Sequence, residues 1–167
     1  MFETSEGRFV CRLLPEYAPE TVGHFVGLAR GTRSWLDPAT GQWVQRPFYD
    51  GLQFHRIVPG FIVQGGCPLG SGRGHPGFHI AEEFHPNLRH TRRGMLGMAT
   101  VWGQPGTVGS QFYVTLAPAP ELDGKCPIFG FVFEGMEVVE RIGQAELDSQ
   151  GRPLKPITIN QARIVEQ

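Results

Sequence analysis

The sequence predicts a mainly β protein: a closed eight-stranded antiparallel β-barrel capped by two α-helices, in a single domain over residues 1–167. Three observations carry this expectation. Short apolar or alternating runs recur along the whole chain, and amphipathic helical stripes occur only twice, far apart. Turn formers are also spread throughout: 23 glycines and 14 prolines make 37 of 167 residues, well above the ~12% of average usage. Two distant helices cannot supply the alternating βαβ units of a parallel sheet, so an antiparallel barrel fits best.

Residues 1–4 and 8–14 flank a Ser5-Glu6-Gly7 turn signal and read as a first hairpin. Ala18, Val22, Phe25, Val26 and Ala29 then form one helical stripe, with Pro19 at the favoured first position and Gly31 just past the end. Residues 32–50 read as irregular. Runs at 52–58 and 61–65 read as strands, 66–94 as a long Gly-, Pro- and His-rich segment, 95–100 as a strand and 101–110 as irregular. A loop as long as 66–94 is either functional or ordered by its own contacts. Strands at 111–116 and 128–133 follow, then a short helix through Met136, Val139 and Ile142 that stops at Gly143, and a last strand at 157–165.

Hydrophobic residues make up 40% and charged residues 19%, so a disordered chain is excluded. Fifteen Lys and Arg against sixteen Asp and Glu leave a net charge of -1, which gathers neither nucleic acid nor an acidic membrane. The longest apolar runs, such as Phe61-Ile62-Val63, fall far short of the ~20 residues of a spanning helix. The start has neither a basic nor an apolar leader region. Cys11, Cys67 and Cys126, odd in number and widely spaced, suit reduced thiols and a cytoplasmic location.

Gly72-Arg73-Gly74-His75-Pro76-Gly77 spells G-x-G-x-x-G, but Pro76 and the residues after it do not open a helix, so it reads as a plain glycine loop. No G-x-S-x-G elbow is present. His75, His79, His85 and His90 crowd one segment without any zinc spacing, and read as solvated loop histidines; neither metal nor cofactor is expected.

The most informative stretch runs from Phe54 to Gly66. By period two, Leu52, Phe54, Arg56 and Val58 share one strand face, which sets a guanidinium among apolar side chains. Such a group either pairs with a structural carboxylate or serves a ligand, and patterning does not choose between them. Phe61, Ile62 and Gln64 add a ring, an aliphatic side chain and an amide. Gly109-Ser110-Gln111-Phe112-Tyr113 adds a second amide and two rings, and Leu122-Asp123-Gly124-Lys125 reads as a turn before a buried strand. No tuned base, nucleophile or metal triad emerges. A site of one Arg, two amides and rings binds and orients rather than cleaves.

In this order and separation FHRIVPGFIVQGG, GSQFYV and LDGK…FG resemble the cyclophilins, peptidyl-prolyl cis/trans isomerases. APETVGHFVGLA resembles that family's first helix and RPFYDGLQFHRI the lead-in to its active-site strand, so the likeness covers about residues 7–165. The resemblance implies Arg56 and Gln64 as catalytic residues. It implies a peptide groove lined by His55, Phe61, Ile62, Ala99, Thr100, Gln111, Tyr113 and Leu122, with Phe61, Ile62, Tyr113 and Leu122 as the proline pocket. Its partners would be X-Pro peptides and unfolded proteins, bound by a monomer.

Several departures from the family pattern stand out. Glu121 stands where a Trp is frequent and Cys126 where a His is expected. Met98-Ala99-Thr100-Val101 replaces M-A-N-A, followed by Trp102 and an apparent two-residue insertion. Cys67 replaces an acid, and His24 an Asn. With Glu121, Trp102 and Cys126 at the rim, the resemblance implies weakened binding of cyclosporin A. The alternative reading is a catalytically weak proline-peptide-binding or chaperone module with the same groove.

Overall fold

A computed structural model describes residues 1–101 and 104–166. The expected hairpin forms from β1 (Phe2–Thr4) and β2 (Gly7–Leu13), its turn tightened by the Thr4 hydroxyl donating to the Gly7 carbonyl at 2.7 Å. Helix α1 (Pro19–Arg30) starts on its proline and ends at Gly31, whose φ of 72° lets two backbone N–H groups fold back onto Gly27 and Leu28. No side chain at its own N-cap satisfies its first amides. Glu83, from the long segment 66–94, does so instead, accepting from Thr21 N at 2.9 Å and Thr21 Oγ1 at 3.0 Å. A carboxylate at a helix N-terminus also complements the helix dipole.

Residues 32–50, expected to be irregular, contain a second hairpin of β3 (Trp35–Asp37) and β4 (Gln42–Val44). Asp37 Oδ1 accepts from Ala39 N and closes the turn, while Trp35 is buried. Three-residue strands are too short to show a period in sequence.

The remaining elements are β5 (Arg56–Val58), β6 (Ile62–Gly65), β7 (Met95–Met98), β8 (Phe112–Thr115), β9 (Ile128–Glu134), α2 (Met136–Gly143) and β10 (Ile159–Ala162). Eight strands form one antiparallel sheet in the order β10-β1-β2-β9-β7-β8-β6-β5. The sheet curls into a half-barrel, and among the described residues no ladder joins its two edges, so the expected closed barrel is corrected. Phe54 and Ile57, three residues apart, both enter the core, which breaks alternation before β5 and confines pairing to Arg56–Val58. The segment ahead of β5 meets the far edge through separate contacts: a bridge between Gln53 and Thr158, the Phe54 N–H to the Ile157 carbonyl, the Gly51 N–H to the Ile159 carbonyl and the Ile159 N–H to the Leu52 carbonyl. Gly151 accepts from Ile57 N and covers the β5 edge.

The concave face and the two helices enclose the main core. Phe2, Phe9, Phe25, Tyr49, Phe54, Phe112 and Phe129 interlock there, with centroids from 4.8 to 6.4 Å apart. A second, smaller cluster of Ile62, Tyr113, Ala119, Leu122 and Cys126 forms separately, with Val58, Phe61 and Ala99 packed on it. Strand parity separates the two. In β6, β7 and β8, Val63, Leu96, Met98, Phe112 and Val114 point into the core, while Ile62 and Tyr113 point to the outer face.

Candidate active site

Cross-strand register builds the site. Arg56 pairs with Gln64, Gln64 with Tyr113, and Tyr113 with Gly97, so one transverse row crosses β5, β6, β8 and β7. Residues directly opposite in a ladder present their side chains to the same face. Arg56 therefore projects from the outer face beside the small apolar cluster. It is exposed, and does not share a face with buried Phe54 as the period-two reading had it. The break in alternation before β5 is the reason.

Of the two fates left open for Arg56, the carboxylate pairing is not found among the described residues. Its Nη1 donates to Gln64 Oε1 at 3.3 Å, Gln64 Nε2 donates to Gln111 Oε1 at 2.9 Å, and Gln111 Nε2 donates to the Gly72 and Gly74 carbonyls at 2.9 and 3.0 Å. Each amide orients the next, so the guanidinium is held by a neutral chain rather than by an opposite charge. That chain also ties down residues 72–74, which shows how part of the long loop is ordered.

Phe61 and Ile62 follow the tight turn at Gly60. Ile62 is buried in the small cluster, and Phe61 is half-buried against it. Leu122 arrives on a 3-10 turn (Pro120–Leu122) and is 3% exposed within the same cluster. Glu121 is exposed beside it. Ala99 donates from its N–H to the Gln111 carbonyl at 2.9 Å, and Thr100 Oγ1 donates to the Lys125 carbonyl at 2.8 Å. All of these expected groove residues therefore border one apolar patch. Trp102 lies outside the described residues.

His55 is 5% exposed, and neither ring nitrogen makes a hydrogen bond of normal geometry. Burial pulls its pKa below the ordinary value, against weaker opposition from the nearby Gln53 carbonyl and Gln111. Its Nε2 faces Gly72, 3.6 Å from where a Cβ would stand.

Two expectations are corrected. Cys126 is not at an accessible rim: it is 4% exposed and packs behind Leu122, its sulfur 3.5 Å from Thr100 Oγ1. His90 is not a solvated loop histidine but 1% exposed, with Nε2 2.7 Å from Tyr113 Oη and Nδ1 2.7 Å from Asp123 Oδ1. His75 and His79 do lie together, with ring centroids 4.7 Å apart, and His85 packs on Tyr17. Among the described residues no three His, Cys, Asp or Glu side chains gather as a metal site requires.

His90 and Asp123 are the residues that sequence reasoning missed at this site. They lie 33 residues apart, His90 between Arg89 and Thr91 and Asp123 in a turn, and no sequence pattern links them. A cavity of about 490 Å³ between β1, β2, α1 and the C-terminal residues shares none of the site residues.

A family model described as cyclophilin type peptidyl-prolyl cis-trans isomerase/CLD matches residues 1–164. Peptidyl-prolyl cis-trans isomerase B of Streptomyces anulatus is 45% identical over 160 residues, covering 94% of this chain and 90% of the relative. Peptidyl-prolyl cis-trans isomerase A of Mycobacterium tuberculosis is 42% identical over 163 residues, covering 96% and 88%. Among solved structures, a Cryptosporidium parvum cyclophilin type peptidyl-prolyl cis-trans isomerase in the presence of the dipeptide Ala-Pro superposes with a TM-score of 0.85 at 30% identity, over 99% of this chain and 98% of that one. Family match, relatives and fold agree, and the chain belongs to the cyclophilin-type peptidyl-prolyl cis-trans isomerases.

Proposed function

We propose that the outer-face patch of β5, β6, β7 and β8 is the isomerase's active site, acting on X-Pro bonds in flexible or unfolded protein segments. The observation that carries this reading is Arg56: an exposed guanidinium at the edge of an apolar cluster, held by the Gln64 amide instead of a carboxylate. The Ala-Pro dipeptide named with the Cryptosporidium parvum relative supports a proline-containing ligand.

Rotation about an amide C–N bond faces ~18–20 kcal/mol, and an uncatalysed X-Pro bond takes roughly tens to hundreds of seconds. No covalent step is needed. As the bond twists, the prolyl nitrogen loses conjugation and gains a lone pair that neither planar ground state offers. A donor aimed there binds the transition state selectively. Arg56 supplies that donor through an N–H left over from its bond to Gln64.

A charge-assisted hydrogen bond is worth ~1.5–3 kcal/mol, roughly tenfold to a hundredfold in rate. The rest comes from excluding water from an amide that is less polar when twisted, while Phe61, Ile62, Tyr113 and Leu122 hold the proline ring in place as the preceding carbonyl swings. Gln111 and the Ala99 and Thr100 backbone hold the peptide main chain, and His55 lies at the groove. The chain works as a monomer in a reducing compartment, for which its three free thiols speak. Cyclosporin A binds the same groove with reduced affinity, and nucleic acid is not a partner.

The deciding measurement is a protease-coupled isomerase assay on an Xaa-Pro tetrapeptide, comparing the wild type with Arg56→Ala. A drop of about tenfold or more in kcat/KM, with an unchanged melting curve, is expected. Turnover equal to wild type refutes the role of Arg56. Binding of the peptide by the wild type without turnover would instead favour the chaperone-like module.

A further inference from the structure

His90 joins two parts of the pocket that no strand ladder connects. Tyr113 rises from β8, whereas Leu122 and Ala119 belong to the loop before β9, and all three sit in the small apolar cluster. From His90, the backbone N–H donates to Asp123 Oδ1 at 2.8 Å and the carbonyl accepts from Ala119 N at 2.9 Å. Its ring reaches Asp123 on one side and Tyr113 on the other, each at 2.7 Å.

The proton positions follow from chemistry. Desolvation works to raise the Asp123 pKa, but the His90 N–H, its ring and Arg89 outweigh it and hold the carboxyl below its ordinary range, so it only accepts. With a neutral ring, Nδ1 carries the proton toward Asp123 and Nε2 accepts from the Tyr113 hydroxyl. Every member of the chain has a partner; His90 and Tyr113 are buried, and the chain ends on the Asp123 carboxylate, whose side chain is 21% exposed.

A ring wall without an anchor tilts about a broad terminal torsion. We propose that His90 and Asp123 are positioning residues of the isomerase: through the Tyr113 hydroxyl and the 119–123 turn they fix the separation of the two walls that grip the proline ring. This rests on the proposed assignment of the proline pocket. Neither residue touches substrate. Because the pocket grips the ring in the ground and transition states alike, loosening it weakens binding more than it slows the bound complex.

The test uses Tyr113→Phe, Asp123→Ala, Asp123→Asn and the Tyr113→Phe/Asp123→Ala double variant, each with a melting curve and separate KM and kcat. Tyr113→Phe and Asp123→Ala should each raise KM by about threefold to tenfold with kcat within about twofold. The double variant should be no worse than Asp123→Ala alone, because both break one chain. Asp123→Asn, which keeps an acceptor for Nδ1–H, should recover most of the loss. Nitrogen NMR of the wild-type His90 ring should show the Nδ1–H tautomer, and Asp123→Ala should lose that preference.

Tyr113→Phe with a lowered melting temperature and wild-type KM would make the chain a packing feature and overturn the proposal. Independent, multiplying effects in the double variant would do the same. Wild-type turnover in Arg56→Ala would overturn the site assignment itself, whereas an impaired Arg56→Ala beside a wild-type KM in Tyr113→Phe would sink only the positioning role.

Discussion

Gly97 stands directly opposite Tyr113 across β7 and β8, and a Cβ at position 97 would lie 2.2 Å from the tyrosine Oη and 2.4 Å from Cζ. The hydroxyl end of the phenol lies over the glycine and is hydrogen-bonded there to His90, which resists its swinging aside.

Gly97→Ala should therefore act on the pocket and the fold together. Overpacking of this kind costs ~1–3 kcal/mol, and the displaced ring should lower kcat/KM as well. Gly23 is the control: it lies inside α1 with nothing within 4 Å of its added Cβ, so Gly23→Ala should raise the melting temperature and leave turnover alone. Paired melting curves and assays of the two variants make the comparison; equal behaviour would refute it.

Arg56→Lys should be impaired nearly as much as Arg56→Ala. An ammonium lacks the planar fork that lets one N–H bond Gln64 while another reaches the substrate. Gln64→Leu, which breaks both amide links, should lower kcat more than it raises KM and leave the melting curve little changed. Steady-state kinetics decide; a fully active lysine variant would show that charge alone suffices.

Glu121→Trp should tighten cyclosporin A without changing peptide turnover by more than about twofold. Glu121 is exposed beside Leu122 and offers only acceptors when ionised, whereas an indole adds a donor and a large apolar face. Inhibitor titration of both forms checks this; no gain in affinity would mean that position 121 does not touch the ligand.

Acid should destabilise the fold in two steps. Burial pulls His24 and His55 below the ordinary value of 6.5, so the native state takes up their protons later than the unfolded chain does. Below pH 6.5 the unfolded state binds more protons, and stability falls with falling pH. Asp123 and Glu82 are held below their ordinary 3.8 and 4.5: backbone and side-chain hydrogen bonds outweigh the desolvation that opposes them. Their contribution is lost once the pH drops below about 4.5. Melting temperatures from pH 8 to 3 should decline in both windows, and a flat profile between pH 7 and 5 would contradict the first.

The thiols should be slow. Cys67 and Cys126 are 1% and 4% exposed, and burial pushes the Cys11 thiol up to about 12, far from the thiolate that reacts. Alkylation followed by peptide mapping should label all three only as the chain unfolds. Rapid native labelling of Cys126 with loss of activity would restore an accessible rim cysteine.

Local signals were legible and remote ones were not. Pro19, the apolar stripe and Gly31 bounded α1 because a helix is satisfied within its own few turns, although its N-terminal partner, Glu83, is 62 residues from Thr21. Arg56 and Gln64 could be linked because eight residues and one tight turn separate them. The register that sets Gln64 against Tyr113, and the bonds from His90 to Tyr113 and Asp123, depend on how the sheet curls, and no periodicity records that. Period two misplaced Arg56 for a related reason: Phe54 and Ile57 both serve the core, and the chain bends to let them.

Opposite faces of the same short strands carry unlike duties, and this gives the chain two largely separate routes for drift under selection. A saturation library over β6, β7 and β8 read for soluble yield should be intolerant at Val63, Leu96, Met98, Phe112 and Val114. The same library read for substrate choice should respond at Ile62, Gln64 and Tyr113, one residue out of step. New client preferences can thus arise by exchanging alternate side chains along a strand, without the lineage having to rebuild the interior that keeps it folded.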